Sequence, residues 1–127
     1  MSDGTSGPVL WRVDERGVAR VTLNRPEVYN AYNGELIAAL LKAYDALAAK
    51  NPRAVVITGQ GKNFQAGADV GWLNSVRQSS PQENLRASRM TAEAVQRLNL
   101  LPVPTVALVQ GGCFGGGTGI AAACDVV

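Results

Sequence analysis

The run Ala54-Val55-Val56-Ile57-Thr58, followed by Gly59-Gln60-Gly61, decides the fold class of this 127-residue chain. An unbroken apolar and β-branched run that ends in a glycine turn is typical of a parallel strand buried on both faces of a sheet. A second run of this kind, residues 105–109, ends in the glycine-rich segment 111–119. Because parallel strands need crossover connections, we expect helices between these strands and across the sheet.

The segments on either side complete an α/β pattern. Residues 9–13 and 18–23 are β-rich and are joined by a charged turn ending in Gly17, which predicts a hairpin. Apolar spacing predicts four helices: one from the N-cap Asn33 to the stop at Asn51-Pro52, a short one near 72–76, a long one over 82–101 and a small-residue one over 120–124. In the long helix the spacing turns these side chains inward: Leu85, Met90, Ala94, Val95, Leu98 and Leu101.

Composition excludes several classes of function. Twelve Lys and Arg residues against ten Asp and Glu residues leave a net charge of +2, too balanced to indicate a nucleic acid or an anionic membrane as partner. The chain has no histidine, which excludes Ser-His and Cys-His nucleophile pairs and a His-ligated metal. The two cysteines, Cys113 and Cys124, are expected to be reduced core thiols of a cytoplasmic protein. We therefore expect no metal and no membrane span.

The domain organisation follows from the two ends of the chain. Residues 1–8 are polar and glycine-rich, and we expect them to be a flexible N-terminus. Residues 9–127 carry the α/β pattern without a linker or an internal repeat. Asp125-Val126-Val127 is typical of the beginning of a further buried strand. The sequence thus predicts the N-terminal part of a longer domain.

Two glycine-rich loops, residues 61–70 and 111–119, follow the two buried strands, where open α/β sheets bind ligands. The dinucleotide fingerprint fails, since the sixth position counted from Gly115 is Ile120, and the P-loop fails because Lys62 is followed by Asn63. A nucleotide-binding half-domain is therefore disfavoured. Free backbone N–H groups in such loops can bind a developing oxyanion. The spacing alone is equally consistent with glycines that only let a helix pack closely on the sheet.

Several blocks resemble the crotonase (enoyl-CoA hydratase/isomerase) superfamily, in the family order and over residues 9–127. The blocks are Val21–Pro26, Asn30-Ala31, Phe64–Val70, Gly115–Gly117 and Ala123–Asp125. The resemblance implies a crotonase-like α/β fold with ββα-type repeats and parallel buried strands, in a protein about twice this long. It also implies a homotrimer or hexamer that acts on an acyl-CoA thioester, with coenzyme A as part of the substrate and no separate cofactor.

The resemblance also implies roles for particular residues. The amides of Ala68 and Gly116 would form the oxyanion hole that stabilises an enolate. Asp69 and Asp125 would hold loops rather than take part in chemistry. Residues implied to contact the substrate or its coenzyme A are Val28, Tyr29, Gln65, Ala66, Ala68, Asp69, Val70, Gly115 and Gly116. Trp11 and Trp72 are expected to be packing residues, with Trp72 as a possible wall of the pocket.

Departures from the family pattern leave the reaction open. Gly119 stands where the family usually has its first catalytic Glu, and the second Glu is expected past Val127. Hydration, for instance of a branched or glutaconyl-type enoyl-CoA, is favoured; Δ3,Δ2-enoyl-CoA isomerisation and a non-catalytic acyl-CoA binder are the alternatives. Gln65 replaces a small residue or Cys, and Glu27 replaces a basic one, for which Arg25 and Lys62 could compensate. Glu93 is the remaining candidate acid or base, although a solvated position on its helix is the simpler interpretation.

Overall fold

Four strands form one mixed sheet in the computed structural model, which describes residues 4–127. The strands are β1 (Val9–Val13), β2 (Val18–Leu23), β3 (Ala54–Gly59) and β4 (Thr105–Leu108), and the helices are α1 (Gly34–Ala48), α2 (Val70–Arg77), α3 (Pro81–Asn99) and α4 (Gly116–Ala122), with a 3-10 turn at Pro26–Val28. The sheet order is β1-β2-β3-β4. β1 and β2 are antiparallel, and β2, β3 and β4 run parallel. The predicted hairpin, parallel strands and α/β class are confirmed.

The N-terminal segment before β1 is hydrogen-bonded where the structure describes it. The Gly4 carbonyl accepts from the Trp11 N–H at 2.8 Å, and the Pro8 carbonyl accepts from the Asn24 N–H at 2.8 Å. Residues 1–3 lie outside the described part of the chain. Flexibility of residues 1–8 stays a prediction, and the contacts of residues 4–8 argue for a short range of motion.

Helix α1 supplies more buried residues to the core than any other helix or strand. Its predicted N-cap is confirmed, because the Asn33 side chain accepts the Leu36 N–H at 2.9 Å. Apolar residues recur on the face that packs on the sheet, and Asn51-Pro52 follows the helix end. The buried residues of α1 are Leu36, Ile37, Leu40, Ala43, Tyr44 and Leu47. Helix α1 thus packs against β1, β2 and α3.

The sheet is buried on one face only within residues 4–127. Side chains alternate along β3, so that Val55 and Ile57 lie in the core while Val56 and Thr58 are half-buried. On the second face Arg20 of β2 and Leu108 of β4 are exposed. The expectation of a β3 strand buried on both faces is therefore met on one face, because the described helices pack on that face.

Two helices differ from their predictions, α3 in the burial of its first half and α4 in its first residue. The first half of α3 lies away from the core, so that Leu85 is exposed and Met90 is only half-buried, while Ala94 and Leu98 are buried as predicted. Helix α4 begins at Gly116 rather than at residue 120. Its first turn lies close to the loop before α2: a β-carbon at Gly117 would be 2.9 Å from the Gln65 carbonyl oxygen. Tertiary packing here outweighs the low helix propensity of glycine.

Candidate active site

Three segments far apart in sequence lie side by side at the carboxyl ends of the strands: residues 29–32, 65–69 and 112–115, here called the loop layer. The first pair is joined by main-chain hydrogen bonds, in which the Ala66 N–H donates to the Tyr29 carbonyl at 2.9 Å and the Tyr32 N–H donates to the Gly67 carbonyl at 2.9 Å. A parallel bridge joins Tyr32 and Ala68. The predicted coenzyme A contacts at Tyr29 and Ala66 are thus neighbours in the structure.

The second and third segments are joined in the same way. The Phe114 N–H donates to the Gln65 carbonyl at 3.0 Å, and the Gln65 N–H donates to the Gly112 carbonyl at 3.2 Å. Gln65 and Cys113 form a parallel bridge. The two glycine-rich loops of the sequence therefore make one continuous surface.

Two glycines bring the predicted oxyanion donors together. Gly67 and Gly115 have φ values of 91° and 53°, which residues other than glycine rarely adopt. A β-carbon at Gly115 would be only 3.5 Å from the Gly67 α-carbon. Ala68 and Gly116 follow these glycines directly. Within residues 4–127, neither the Ala68 N–H nor the Gly116 N–H donates to an acceptor. The site thus presents two unpaired donors from adjoining segments.

A buried asparagine anchors the loop layer. Asn30 is fully buried with φ of 59°. Its Nδ2 donates to the carbonyls of Gln60, Asn63 and Phe64 at 3.0, 2.9 and 3.1 Å. Its Oδ1 accepts the Arg25 N–H at 2.8 Å. In the sequence Asn30 is distinguished only as part of the Asn30-Ala31 motif, and the tolerance of asparagine for positive φ is the one local signal of its position.

The side-chain amides of Asn63 and Gln110 join the two glycine loops, and neither residue was predicted to do so. The Asn63 Oδ1 accepts the Gly112 N–H at 2.8 Å. The Gln110 Nε2 donates to the carbonyls of Gly59 and Gly61, the latter at 3.1 Å. Their partners lie about fifty residues away along the chain, so no local pattern indicates these bonds.

Asp69 holds the loop layer to α2. Its Oδ1 accepts the Trp72 N–H at 3.1 Å as the N-cap of the helix, and its Oδ2 pairs with the Arg25 guanidinium at 3.3 Å. The hydrogen bond from Trp72, together with Arg25, holds the pKa of this carboxyl below its usual value. Arg25 also donates to the Ala31 carbonyl at 2.5 Å. Arg25 is thus committed to holding the loop, whereas Lys62 is exposed.

Asp125 has the loop-holding position that the resemblance implies. Its Oδ2 accepts the Thr105 N–H at 2.9 Å, and its own N–H donates to the Thr105 Oγ1 at 2.9 Å. The next residue, Val126, forms a parallel bridge with Val106 beside β4. Cys113 and Cys124 are half-buried against the core, and burial raises the pKa of the Cys124 thiol. Asp125 thus ties the segment after α4 to the amino end of β4, opposite the end that carries the loop layer.

Tyr32 lies at the centre of the site. Its ring packs on Gly116, where a β-carbon would be 2.4 Å from the Tyr32 Cε1. It meets Trp72 edge-on, with ring centroids 5.8 Å apart. Open grooves of about 360 and 520 Å³ border Trp72 on its two sides, and the larger is also bordered by Tyr32. Trp72 is therefore a wall of both grooves.

The two positions considered for acid–base chemistry lie differently. A β-carbon at Gly119 would be 3.8 Å from Val95 Cγ2, so this position faces α3. Val95 borders the larger groove. Glu93 is half exposed, pairs with Arg97 at 3.8 Å, and borders neither of the grooves beside Trp72. Glu93 therefore lies outside both grooves, and its role as an acid or base stays a prediction.

The remaining predicted contacts surround the loop layer. Tyr29, Ala66 and Val70 are exposed, with 62% of Tyr29 and 70% of Val70 accessible. Val28 is half-buried immediately before the layer, whereas the Gln65 side chain is buried beneath it.

Within residues 4–127 no helix has the length and apolar character needed to span a bilayer, and no three His, Cys, Asp or Glu side chains group as metal ligands would.

The sheet order, the crossover helices and the facing glycine loops define a crotonase-type α/β domain. An enoyl-CoA hydratase structure from Shewanella pealeana superposes with a TM-score of 0.91 at 27% identity, covering 97% of this chain and 46% of that one. The family model described as enoyl-CoA hydratase/isomerase matches residues 14–127. The chain belongs to the enoyl-CoA hydratase/isomerase family.

Two relatives show the range of reactions in this family. A Thermus thermophilus protein whose name marks it as a candidate enoyl-CoA hydratase is 44% identical over 117 residues, which are 91% of this chain and 46% of the relative. The mitochondrial Delta(3,5)-Delta(2,4)-dienoyl-CoA isomerase of Dictyostelium discoideum is 30% identical over 126 residues, covering 92% of this chain and 43% of the relative. The chain thus spans about half the length of the curated relatives it matches.

Proposed function

We propose that the loop layer binds an acyl-CoA thioester and stabilises its enolate. The observation that carries this proposal is that the N–H groups of Ala68 and Gly116 both lack an acceptor, on segments whose glycines Gly67 and Gly115 lie close together. Two fixed donors of this kind match a thioester oxygen that gains negative charge, because they need no reorganisation as the charge develops. Asn30, Asn63 and Gln110 hold the segments that carry them.

Coenzyme A would enter as part of the substrate, over the exposed side of the turn 65–70. Ala66 and Val70 are small or apolar and accessible there, and Tyr29 lies beside Ala66. Such a surface suits the apolar pantetheine arm and the adenine ring. Lys62 is the exposed cation close to this turn, and its charge would favour the phosphates.

The reaction we favour is hydration of an enoyl-CoA, of a branched or glutaconyl type. Isomerisation of the double bond is the alternative, since Gly119 supplies no carboxylate for activating water. The second acid–base Glu of the family pattern is part of this proposal and falls past residue 127. A non-catalytic acyl-CoA binder keeps the same two donors without turnover. The proposal also includes a cytoplasmic location and assembly of the protein as a homotrimer or hexamer.

A matched pair of variants tests the oxyanion hole. Gly116→Pro removes the N–H at the first position of α4, where proline is tolerated, and Gly116→Ala adds a β-carbon but keeps the N–H. Both variants press on the Tyr32 ring, so their difference isolates the donor. Gly116→Pro is expected to turn over crotonyl-CoA or a 3-enoyl-CoA about 10²–10³-fold more slowly than Gly116→Ala.

Circular dichroism and a thermal melt establish that both variants are folded. If the Tyr32 clash unfolds them, the same pair is made in a Tyr32→Ala background, which removes the ring from residue 116. Equal turnover by the two folded variants contradicts the assignment of the Gly116 N–H. Acyl-CoA binding with no turnover by the unaltered protein favours the non-catalytic binder.

A further inference from the structure

The side chain of Gln65 is buried without a hydrogen-bond partner. Only 1% of the residue is accessible, and neither Oε1 nor Nε2 has a partner within the described residues. Its main chain is fully paired with Gly112 and Phe114, so the unpaired groups belong to the carboxamide alone. Buried polar atoms in native proteins nearly always have partners, and an exception calls for an explanation.

The carboxamide borders a cavity beside the proposed oxyanion hole. This cavity has a volume of about 30 Å³, and its walls include Gln65, Tyr32, Gly116 and Ile120. A β-carbon at Gly117 would be 3.4 Å from the Gln65 Oε1, which places the carboxamide against the first turn of α4. A space of this size suits one oxygen-containing group no larger than a water molecule.

The cavity adjoins the larger groove between α2 and α3. The two spaces share Tyr32, Thr91 and Val95 as walls. An acyl group lying in the groove can therefore direct a small substituent into the cavity. The Thr91 hydroxyl already donates to the Ala87 carbonyl, whereas both polar groups of Gln65 are unpaired and can contact such a substituent.

We propose that Gln65 binds the oxygen that is added to, or removed from, the acyl group. A carboxamide with both its donor and its acceptor unpaired is complementary to a group that also donates and accepts, which is a hydroxyl or a water molecule. This inference rests on the proposed function and deepens it, because hydration needs such an oxygen and double-bond isomerisation does not. Gln65 is a positioning residue and transfers no proton, since a carboxamide does not titrate.

Binding of two thioesters that differ only by one hydroxyl tests this role. By titration calorimetry, the protein is expected to bind one enantiomer of 3-hydroxybutyryl-CoA about tenfold more tightly than butyryl-CoA. Gln65→Met keeps the length of the side chain and removes both polar groups, so the ratio of the two affinities should fall to about one. Gln60→Met is the matched control, since Gln60 is exposed. It should keep the preference.

Turnover distinguishes the water from the substrate hydroxyl. Gln65→Met is expected to lose about tenfold in kcat for hydration of crotonyl-CoA, a larger loss than in isomerisation of a 3-enoyl-CoA. A hydroxyl preference without this kcat loss assigns Gln65 to the substrate hydroxyl. Equal losses in both reactions show that Gln65 only shapes the site, which overturns the proposal.

Other outcomes separate this proposal from the proposed function. Equal binding of the two thioesters by the unaltered protein overturns the role of Gln65 and leaves acyl-CoA binding intact. Binding of neither thioester overturns both. If Gln65→Met does not fold, Gln65→Leu takes its place, and the preference of the unaltered protein decides without either variant. A lower melting temperature of Gln65→Met with the preference retained indicates a structural role only.

Discussion

The loop layer and the helix pair α2–α3 border the same proposed binding space, yet they are held in different ways. In the loop layer, Asn30 is completely buried and donates to three carbonyls, and Asn63 and Gln110 tie the glycine loops together. Helix α2 has no buried residue, and α3 buries only Ala94 and Leu98. One side of the site is fixed by buried polar contacts, and the other is half open.

This difference matches what each side is proposed to do. Backbone donors stabilise a developing charge only if they are already in place, so the segments that carry them need many mutually supporting hydrogen bonds. The acyl group needs an apolar wall that adapts to its shape, and sparse burial allows local movement of such a wall. Disrupting each side separately should therefore have different consequences.

The largest effect is expected from the anchor of the loop layer. Asn30→Ala leaves the buried Phe64 carbonyl, two part-buried carbonyls and the part-buried Arg25 N–H without the side chain that pairs them. We expect a loss of roughly 3–6 kcal/mol in unfolding free energy, because each buried polar group left unpaired costs about 1–3 kcal/mol. Chemical denaturation measures the change.

Asn33→Ala is the control for Asn30→Ala, because it removes a single N-cap bond of α1 and should cost about 1 kcal/mol. Equal losses for the two asparagine variants would show that the loop layer is not held more firmly than an ordinary helix terminus, and the contrast with α2–α3 would fail.

The next effect separates the two halves of α3. Leu98→Ala removes a side chain buried in the core and should lower the unfolding free energy by about 2–5 kcal/mol. Leu85→Ala, on the same helix but exposed, should change it by less than about 0.5 kcal/mol. Urea midpoints of the two variants give the comparison. A Leu85→Ala loss close to that of Leu98→Ala contradicts the open arrangement of the first half of α3.

The smallest effect is expected at Asp69, where the loop layer joins α2. Since the folded-state pKa of this carboxyl lies below its usual value of 3.8, its contribution to stability is present above that pH and is lost as the pH falls through the folded-state value. Asp69→Asn should therefore be less stable than the unaltered protein at neutral pH, and the two should converge under acid. Thermal melts at pH 7 and below pH 3.8 test this. A constant difference across the pH range contradicts an ionised Asp69 as the source of the stabilisation.

Local sequence signals predicted the elements but not how they are locked together. The apolar run at 54–58 and the Asn33 cap are readable from short-range spacing, and both were confirmed. The same spacing placed Leu85 inward, because periodicity identifies a helix face without showing where its packing partner ends.

The meeting of the two glycine loops was predictable from the sequence, but the hydrogen bonds that hold them there were not. Two glycine loops after two parallel strands must meet at one edge of the sheet, as residues 65–69 and 112–115 do. The carbonyls that accept from the Asn30 side chain lie 30 to 34 residues away along the chain. A polar loop residue carries no local sequence signal of such bonds. Gln65 looked like an ordinary departure from a small residue, and only its burial distinguishes it.

The Tyr32 ring occupies the place of a β-carbon at residue 116, so these two positions cannot drift independently. An alanine at 116 requires the Tyr32 ring to move or to be replaced by a smaller side chain, because close-packed neighbours couple their substitutions. Replacing Tyr32 also removes the edge-on contact with Trp72. Any change of side chain at residue 116 is thereby tied to residue 32, and through the Tyr32–Trp72 contact to the wall that Trp72 gives to both grooves.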